Sequence, residues 1–221
     1  MERCGDFLVE VKVIRAVVTL TTSESKRIIG KAVANMDIVK KALKDGSIVI
    51  ALGTTNSFVA EEIIGRKIDK ENFSMGKITP SGLETTSFSK MLNHILIGHG
   101  VVSEVKPPDL RKACEKLSPP DIIIKGANLL DSQANAGVIT LEPSGGTTGA
   151  IWNPIKDKKV KLIVPVGLEK TVPYPVTEVK KKLEDGKAKI WKQMGLPPYR
   201  IYLLPGEVVT EIKAFRILSD V

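Results

Sequence analysis

The strongest constraint on the fold is a run of apolar residues too short for a helix and without a single polar member. Ile48 to Leu52 is followed at once by Gly53-Thr54-Thr55-Asn56-Ser57 and then by a segment of helical periodicity. A strand of that length and composition is buried on both faces, which is the condition of a parallel sheet with helices packed on either side. Apolar runs return at 121–131, 160–167 and 200–206, and less regularly at 73–83, where SFSKMLNHILIGHGVV follows as the next helical candidate. Strands alternating with helices predict a doubly wound, mostly parallel sheet with right-handed crossovers.

The flanks carry their own signals. Residues 7–20 have the β-branched content and partial alternation of an extended N-terminal segment. Thr21 and Glu24 have the spacing of a capping box, and Ile28, Ile29, Ala32, Val33 and Met36 then recur at helical intervals, so a helix is expected over about 23–44, ended by Asp45-Gly46. A further helix with lysines on its exposed face is expected over 176–194. Proline pairs punctuate loops, and no linker, repeat or low-complexity tract divides the chain. The 221 residues therefore read as a single domain: the N-terminal strand region 7–20, a core over about 23–170, and a C-terminal helix and strands over about 171–221.

No apolar stretch approaches the roughly 18 residues that cross a bilayer, and the alternating start MERCGDFLVEVKV lacks the apolar core of a signal peptide. A cytoplasmic protein without membrane contact is expected. Cys4 and Cys114 have neither disulfide-framework nor zinc spacing. The net charge of +8 is spread through clusters interleaved with acids, with 5% aromatic residues, so nucleic acid is not the expected partner. An ordinary solvated surface accounts for the charge.

Three loops supply the groups that bind anions. Gly53 to Ser57 combines close backbone approach, hydroxyl donors and the N-terminus of the next helix, expected near Ser57. Thr79-Pro80-Ser81-Gly82 follows the second apolar segment. The longest stretch is Lys125-Gly126-Ala127-Asn128-Leu129-Leu130-Asp131 and then Glu142 to Ala150, where Gly145, Gly146, Gly149, Ser144, Thr147 and Thr148 crowd into nine residues. Ordering so many glycines is costly in chain entropy, so such a loop marks a tight turn or a ligand.

In order and kind these pieces resemble the ribose-5-phosphate isomerase, glucosamine-6-phosphate deaminase and CoA-transferase superfamily, and are most similar to ribose-5-phosphate isomerase A. That family has a GTGST-type loop after its first sheet strand, a TS loop, an IDGADEID segment and a KGGGGA loop. The counterparts here are Gly53 to Ser57, Thr79 to Ser81, Ile124 to Asp131 and Ser144 to Ala150, and the likeness covers roughly residues 23–170. The resemblance implies a Rossmann-like sheet with room for a small α+β subdomain, a phosphorylated or otherwise anionic metabolite as ligand, and a homodimer or homotetramer. It implies no cofactor and no metal. Ligand contacts would come from Gly53, Thr54, Thr55, Asn56, Ser57, Thr79, Ser81, Lys125, Gly126, Asn128, Ser144, Gly145, Gly146, Thr147 and Thr148.

The catalytic groups of the family transfer less completely. Asp131 matches the second aspartate of its motif, but Asn128 stands in place of the first, Glu142-Pro143 replaces the lysine, and Ile151-Trp152-Asn153-Pro154 brings no carboxylate where the isomerase has its base. Asparagine cannot remove a carbon-bound proton, so ordinary ribose-5-phosphate isomerase activity is not expected. Asp131 and Glu142 remain as the carboxylates that could exchange protons; the alternative is that Asp131 fixes its loop and Glu142 ends a strand. A glutamate beside a glycine loop also fits the CoA-transferase branch, where it attacks a thioester. The other functional class open to the same loops is a non-catalytic sensor of a metabolite. His94 and His99 have no carboxylate neighbours in sequence and read as structural, and of Trp152 and Trp191 the former lies nearer the ligand loops.

Overall fold

The computed structural model describes residues 17–79, 82–186 and 199–219. Residues 7–16 of the expected N-terminal strand, Cys4, Pro80, Ser81, Trp191 and the end of the 176–194 helix lie outside the described residues.

The chain is a mixed α/β protein built on a six-stranded sheet. Its strands are β1 (Ser47–Ile50), β4 (His94–Gly98), β5 (Val101–Val105), β6 (Ile122–Ile124), β9 (Lys161–Pro165) and β11 (Glu207–Val209), in the order β11-β9-β6-β1-β4-β5. The four strands from β11 to β1 run parallel, and β4 and β5 add an antiparallel pair at the other edge. Alternate side chains of the central strands feed two cores. Ile48, Ile50, Ile122, Ile124 and Ile163 pack under α1 (Thr22–Asn35), α2 (Asp37–Asp45), α3 (Thr54–Ile64) and α7 (Glu211–Leu218). Val49, Ile123, Leu162 and Val164 pack under α4 (Leu110–Cys114) and α5 (Gly146–Lys156). Burial on both sides is what the apolar run at 48–52 demands, and each fully covered aliphatic side chain contributes about 2 kcal/mol.

Two smaller sheets complete the chain: β7 (Leu129–Leu130), β8 (Ala136–Thr140) and β10 (Arg200–Leu203) in the order β10-β8-β7, and the hairpin of β2 (Gly76–Thr79) and β3 (Gly82–Thr85). α6 (Val176–Glu184) lies between β9 and β10 in the chain.

Local signals and structure agree where the signal is local. Thr21 caps α1, its hydroxyl accepting the Glu24 N–H while the Glu24 carboxylate takes the Thr21 N–H at 2.8 Å. The single helix expected over 23–44 is instead two, because Met36 adopts an extended ψ of 135°. A straight helix that long would span about 30 Å, and the break lets Met36, Val39 and Ala42 all reach the core. α3 begins at Thr54, not near Ser57, so Thr54 to Ser57 form its first turn.

Two expectations are corrected. Residues 94–105 are a strand pair turning through His99 and Gly100, not a helix, because the alternating HILIG segment satisfies its backbone against β1. The run at 200–206 contributes β10, which pairs antiparallel with β8 in the small sheet, and the outer place in the main sheet goes to β11.

Candidate functional site

The chain leaves β1 toward β4 on one side, while β6, on the other side, continues toward β9. The boundary between β1 and β6 is therefore a topological switch point, the place in an open α/β sheet where the loops diverge and leave a crevice outside the carboxyl ends of the strands.

Asn56, on the first turn of α3, sits at this seam with no exposure. Its Nδ2 donates to the Ala51 carbonyl at 2.7 Å and to the Ile124 carbonyl at 3.4 Å, tying the end of β1 to the end of β6. Its Oδ1 has no hydrogen-bond partner and faces Gly126, where a Cβ would lie 3.4 Å away. A buried acceptor left unpaired costs about 1–3 kcal/mol, and it is a standing place for a donor. α3 starts at Gly53 without a side-chain cap, so its first N–H groups stay available. Thr55 and Ser57 are buried, and the Ser57 hydroxyl donates to the Thr54 carbonyl at 2.7 Å.

The registers define a row across the sheet. Ile50 pairs with Ile95 of β4 and with Ile124 of β6, so the next position aligns His94, Ala51 and Lys125. Alternation carries all three to the α4/α5 side, shared with Leu96, Val49 and Ile123. Neighbouring strands are about 4.8 Å apart, so Lys125 and His94 flank the small Ala51 with their Cα atoms roughly 10 Å from each other.

His94 is buried, and its Nδ1 accepts the Leu52 N–H at 2.9 Å. That bond fixes the neutral tautomer with its proton on Nε2, which has no hydrogen-bond partner among the described residues. Burial, with the charge of Lys125 adding to it, pushes the imidazole down to about 4, so the ring stays neutral at pH 7. Lys125 is partly exposed as a residue, but its ammonium is desolvated, which lowers its pKa to about 8. Nζ donates to the Gly126 carbonyl at 3.0 Å and joins no ion pair among the described residues.

The glycine loop reaches the same end of the sheet. Gly53 N–H bonds the Phe73 carbonyl at 2.9 Å, and two residues on, Met75 Sδ accepts the Thr147 hydroxyl at 2.7 Å. The loops at 53 and 147 are thus bridged by residues 73–75. Part of the loop's glycine content answers to packing. Gly145 has φ +74°, with the Tyr202 hydroxyl 2.6 Å from where a Cβ would sit, and a Cβ on Gly149 would overlap the Ser144 carbonyl oxygen. Gly149→Ala is expected to lower stability by about 2 kcal/mol, because the backbone oxygen cannot rotate away; urea unfolding of the two proteins measures it. The Gly146 N–H bonds the Ser144 hydroxyl at 3.2 Å, and Thr148 is buried.

Other expected residues stand apart from the seam. Thr79 pairs with Gly82 at the tip of the β2–β3 hairpin, roughly 10 Å of strand beyond Gly76. Asn128 completes the small sheet, its Oδ1 accepting the Ile139 N–H at 2.9 Å. Asp131, 4% exposed, accepts four hydrogen bonds: from the N–H groups of Gln133 and Asn135 at 2.9 Å each, and from Asn135 Nδ2 and Val176 N–H at 3.0 Å each. It closes the 131–135 turn and holds the first residue of α6. Glu142 is exposed, its carboxylate against Gly146. Asp131 precedes β8 and Glu142 follows it, so a length of strand of about 15 Å lies between them, and the structure does not bring the two carboxylates together.

Fold and seam define the class: an α/β protein with Asn56, Lys125 and a neutral histidine brought together at the switch point of a mostly parallel sheet. The sequence matches no family model, and no curated protein matches it. Among the described residues no helix is long and apolar enough to cross a membrane, and no group of three or more histidine, cysteine or acidic side chains could hold a metal ion.

Proposed function

We propose that the crevice between β1 and β6 binds a small anionic metabolite, a sugar phosphate by its chemistry, on a Rossmann-like scaffold of the ribose-5-phosphate isomerase type. The observation that carries this reading is Lys125: a desolvated cation at the switch point, without a carboxylate partner among the described residues, beside the uncapped N-terminus of α3. The helix N-terminus supplies N–H donors and partial positive charge for a phosphate. Asn56 Oδ1 accepts from a ligand hydroxyl, and His94 Nε2–H donates to one. Apolar walls with a few placed polar groups are the usual makeup of such sites. The reading places the protein in the cytoplasm, as a homodimer or homotetramer.

The saturated carboxylate of Asp131 and the outward position of Glu142 favour the non-catalytic sensor over an isomerase that uses these two groups, since neither offers a lone pair to a carbon-bound proton in the crevice. CoA esters are the third ligand class. Thermal unfolding with ribose 5-phosphate, inorganic phosphate and coenzyme A, each tested alone, separates the ligands. At 100 times Kd a ligand adds about 2.7 kcal/mol, a rise in Tm of roughly 5–10 °C for a chain of this size. Ribose 5-phosphate is expected to give that rise and Lys125→Ala to abolish it. If millimolar concentrations of all three anions leave Tm unmoved, the reading is lost.

A further inference from the structure

We propose that two copies of this chain join through β5, pairing antiparallel about a two-fold axis at Ser103 so that their six-stranded sheets become one. The inference does not depend on the ligand reading; it adds to the oligomer named there the surface that makes it.

β5 is an edge of the main sheet, bonded to β4 on one side. Its residues from Val101 to Glu104 are exposed, Val101 by 70% and Val102 by 40%, and no described residue pairs with its outer side. His99 and Gly100, with φ of +47° and +79°, form a two-residue turn, so Gly98 and Val101 exchange both backbone hydrogen bonds. Alternation along the ladder joins Ser103 to Leu96 and Val105 to His94 in the same way. The N–H and C=O groups of Val102 and Glu104 therefore point outward, away from β4.

Such an edge recruits another strand unless a lysine, a proline or a bulge blunts it. β5 has none of these within its span. Its one charge, Glu104, accepts from Asn93 Nδ2 of the same chain at 2.8 Å, and Pro107 and Pro108 come only after the strand is complete.

The sequence of β5 is matched to itself. With Ser103 on the axis, Val102 exchanges both bonds with the partner subunit's Glu104, and Glu104 does the same with the partner subunit's Val102, so every outward backbone group is satisfied. On the other face, where Val105 already packs against the α4/α5 core, Val101 lies opposite the partner's Val105 and Ser103 opposite the partner's Ser103. Branched and hydroxyl pairs of this kind stabilise a ladder. An axis at Glu104 would set like charges face to face, and an axis at Val102 would leave Glu104 against the partner's turn. A strand pair is smaller than a standard interface of about 20–30 residues a side, so micromolar association is expected.

Sedimentation of the full chain from about 1 to about 100 µM, the range of a weak interface, should show the mass rising from one chain to two. Val102→Pro removes only an outward N–H, a position where an edge strand tolerates proline. It is expected to weaken association roughly 30-fold, through one lost bond in each copy, while the Tm of the dilute monomer holds. Ser103→Cys is the sharper test, and it decides even if the proline variant fails to fold. Facing residues without mutual hydrogen bonds have Cα atoms about 4.5 Å apart, within disulfide range. Mild oxidation should therefore join two chains through the introduced thiols, located by non-reducing peptide mapping. Val101→Cys should not cross-link, because its two copies would lie about 14 Å apart along the strands. Equal cross-linking of the two cysteine variants, or a dimer that Val102→Pro leaves intact, overturns the β5 interface and leaves the ligand reading and its oligomer standing. A chain that stays monomeric at the highest concentration overturns the interface and the oligomer together, with the ligand reading untouched. Slow amide exchange at Val102 and Glu104 in such a monomer would assign the edge to another segment of the same chain.

Discussion

Replacing Asp131 by alanine is expected to lower the unfolding free energy by about 4 kcal/mol, since three backbone N–H groups and one side-chain amide lose their acceptor together. For a chain of this size that is a fall in Tm of roughly 10 °C. Asparagine would not rescue it fully, because an amide nitrogen on either side of the group would face a donor. Burial alone would raise the Asp131 pKa, but the bonds from Asn135, Val176 and Gln133 outweigh it and hold the carboxyl below its ordinary value. A depressed folded pKa stabilises above the unfolded value of about 3.9, and the contribution disappears as pH falls through the folded value. Urea titrations of wild type and Asp131→Ala at pH 7 and below pH 4 check both the size and the sign. Equal stability of the two proteins at pH 7 would show that the four contacts do not support the fold.

The second large effect lies on the helix that carries Asn56. Glu61 of α3, 6% exposed, accepts hydrogen bonds from Arg27 of α1 at 2.5 Å, from Lys70 at 2.5 Å and from the Ile68 N–H at 2.9 Å. Both cations also lie over the Phe58 ring, at 4.7 and 4.9 Å from its centre. Burial would raise the Glu61 pKa; the Lys70, Ile68 and Arg27 bonds reverse that and bring it to about 2. A shift of that size corresponds to about 3 kcal/mol, and the partial exposure of Arg27 and Lys70 reduces it to about 2 kcal/mol. It is fully present above pH 4.5 and lost as pH falls toward about 2. Glu61→Gln is expected to be less stable at pH 7 by that amount and to show a flatter stability profile between pH 5 and pH 2. An unchanged slope in that acid range would remove Glu61 from the acid response.

How far the structure is legible in the sequence depends on the range of the interaction. The Thr21–Glu24 capping box is local and is present as read. The apolar runs at 48–52 and 160–167, and Ile122–Ile124 of the run at 121–131, are strands of one sheet because burial on both faces leaves no other use for them, whereas Leu129–Leu130 of the same run joins the small sheet. The segment SFSKMLNHILIGHGVV reads as helical by itself, and only its pairing with β1 selects the strand. That pairing also decides His94. Nothing near it in sequence distinguishes it from a buried structural histidine, and its alignment with Lys125 is a property of register across three strands. Asn56, Lys125 and Gly126 were legible as residue types in a loop and converge at the seam. Asn128 and Asp131 were equally legible as types, but their hydrogen bonds go to the small sheet and to α6, which no spacing in the sequence announces.

The order of strands has a bearing on how the chain is made. β1, β4, β5 and β6 are contiguous in the sheet and are also its first four members in the chain, whereas β9 and β11 add to the outer edge. A ribosome that has released the chain as far as Gly126 has delivered every residue of the Lys125–Ala51–His94 row and both strands that Asn56 ties together. Synthesis from the N-terminus lets such units form early. The polar residues at the β1–β6 seam can therefore come into register before β9 and β11 are added at the edge.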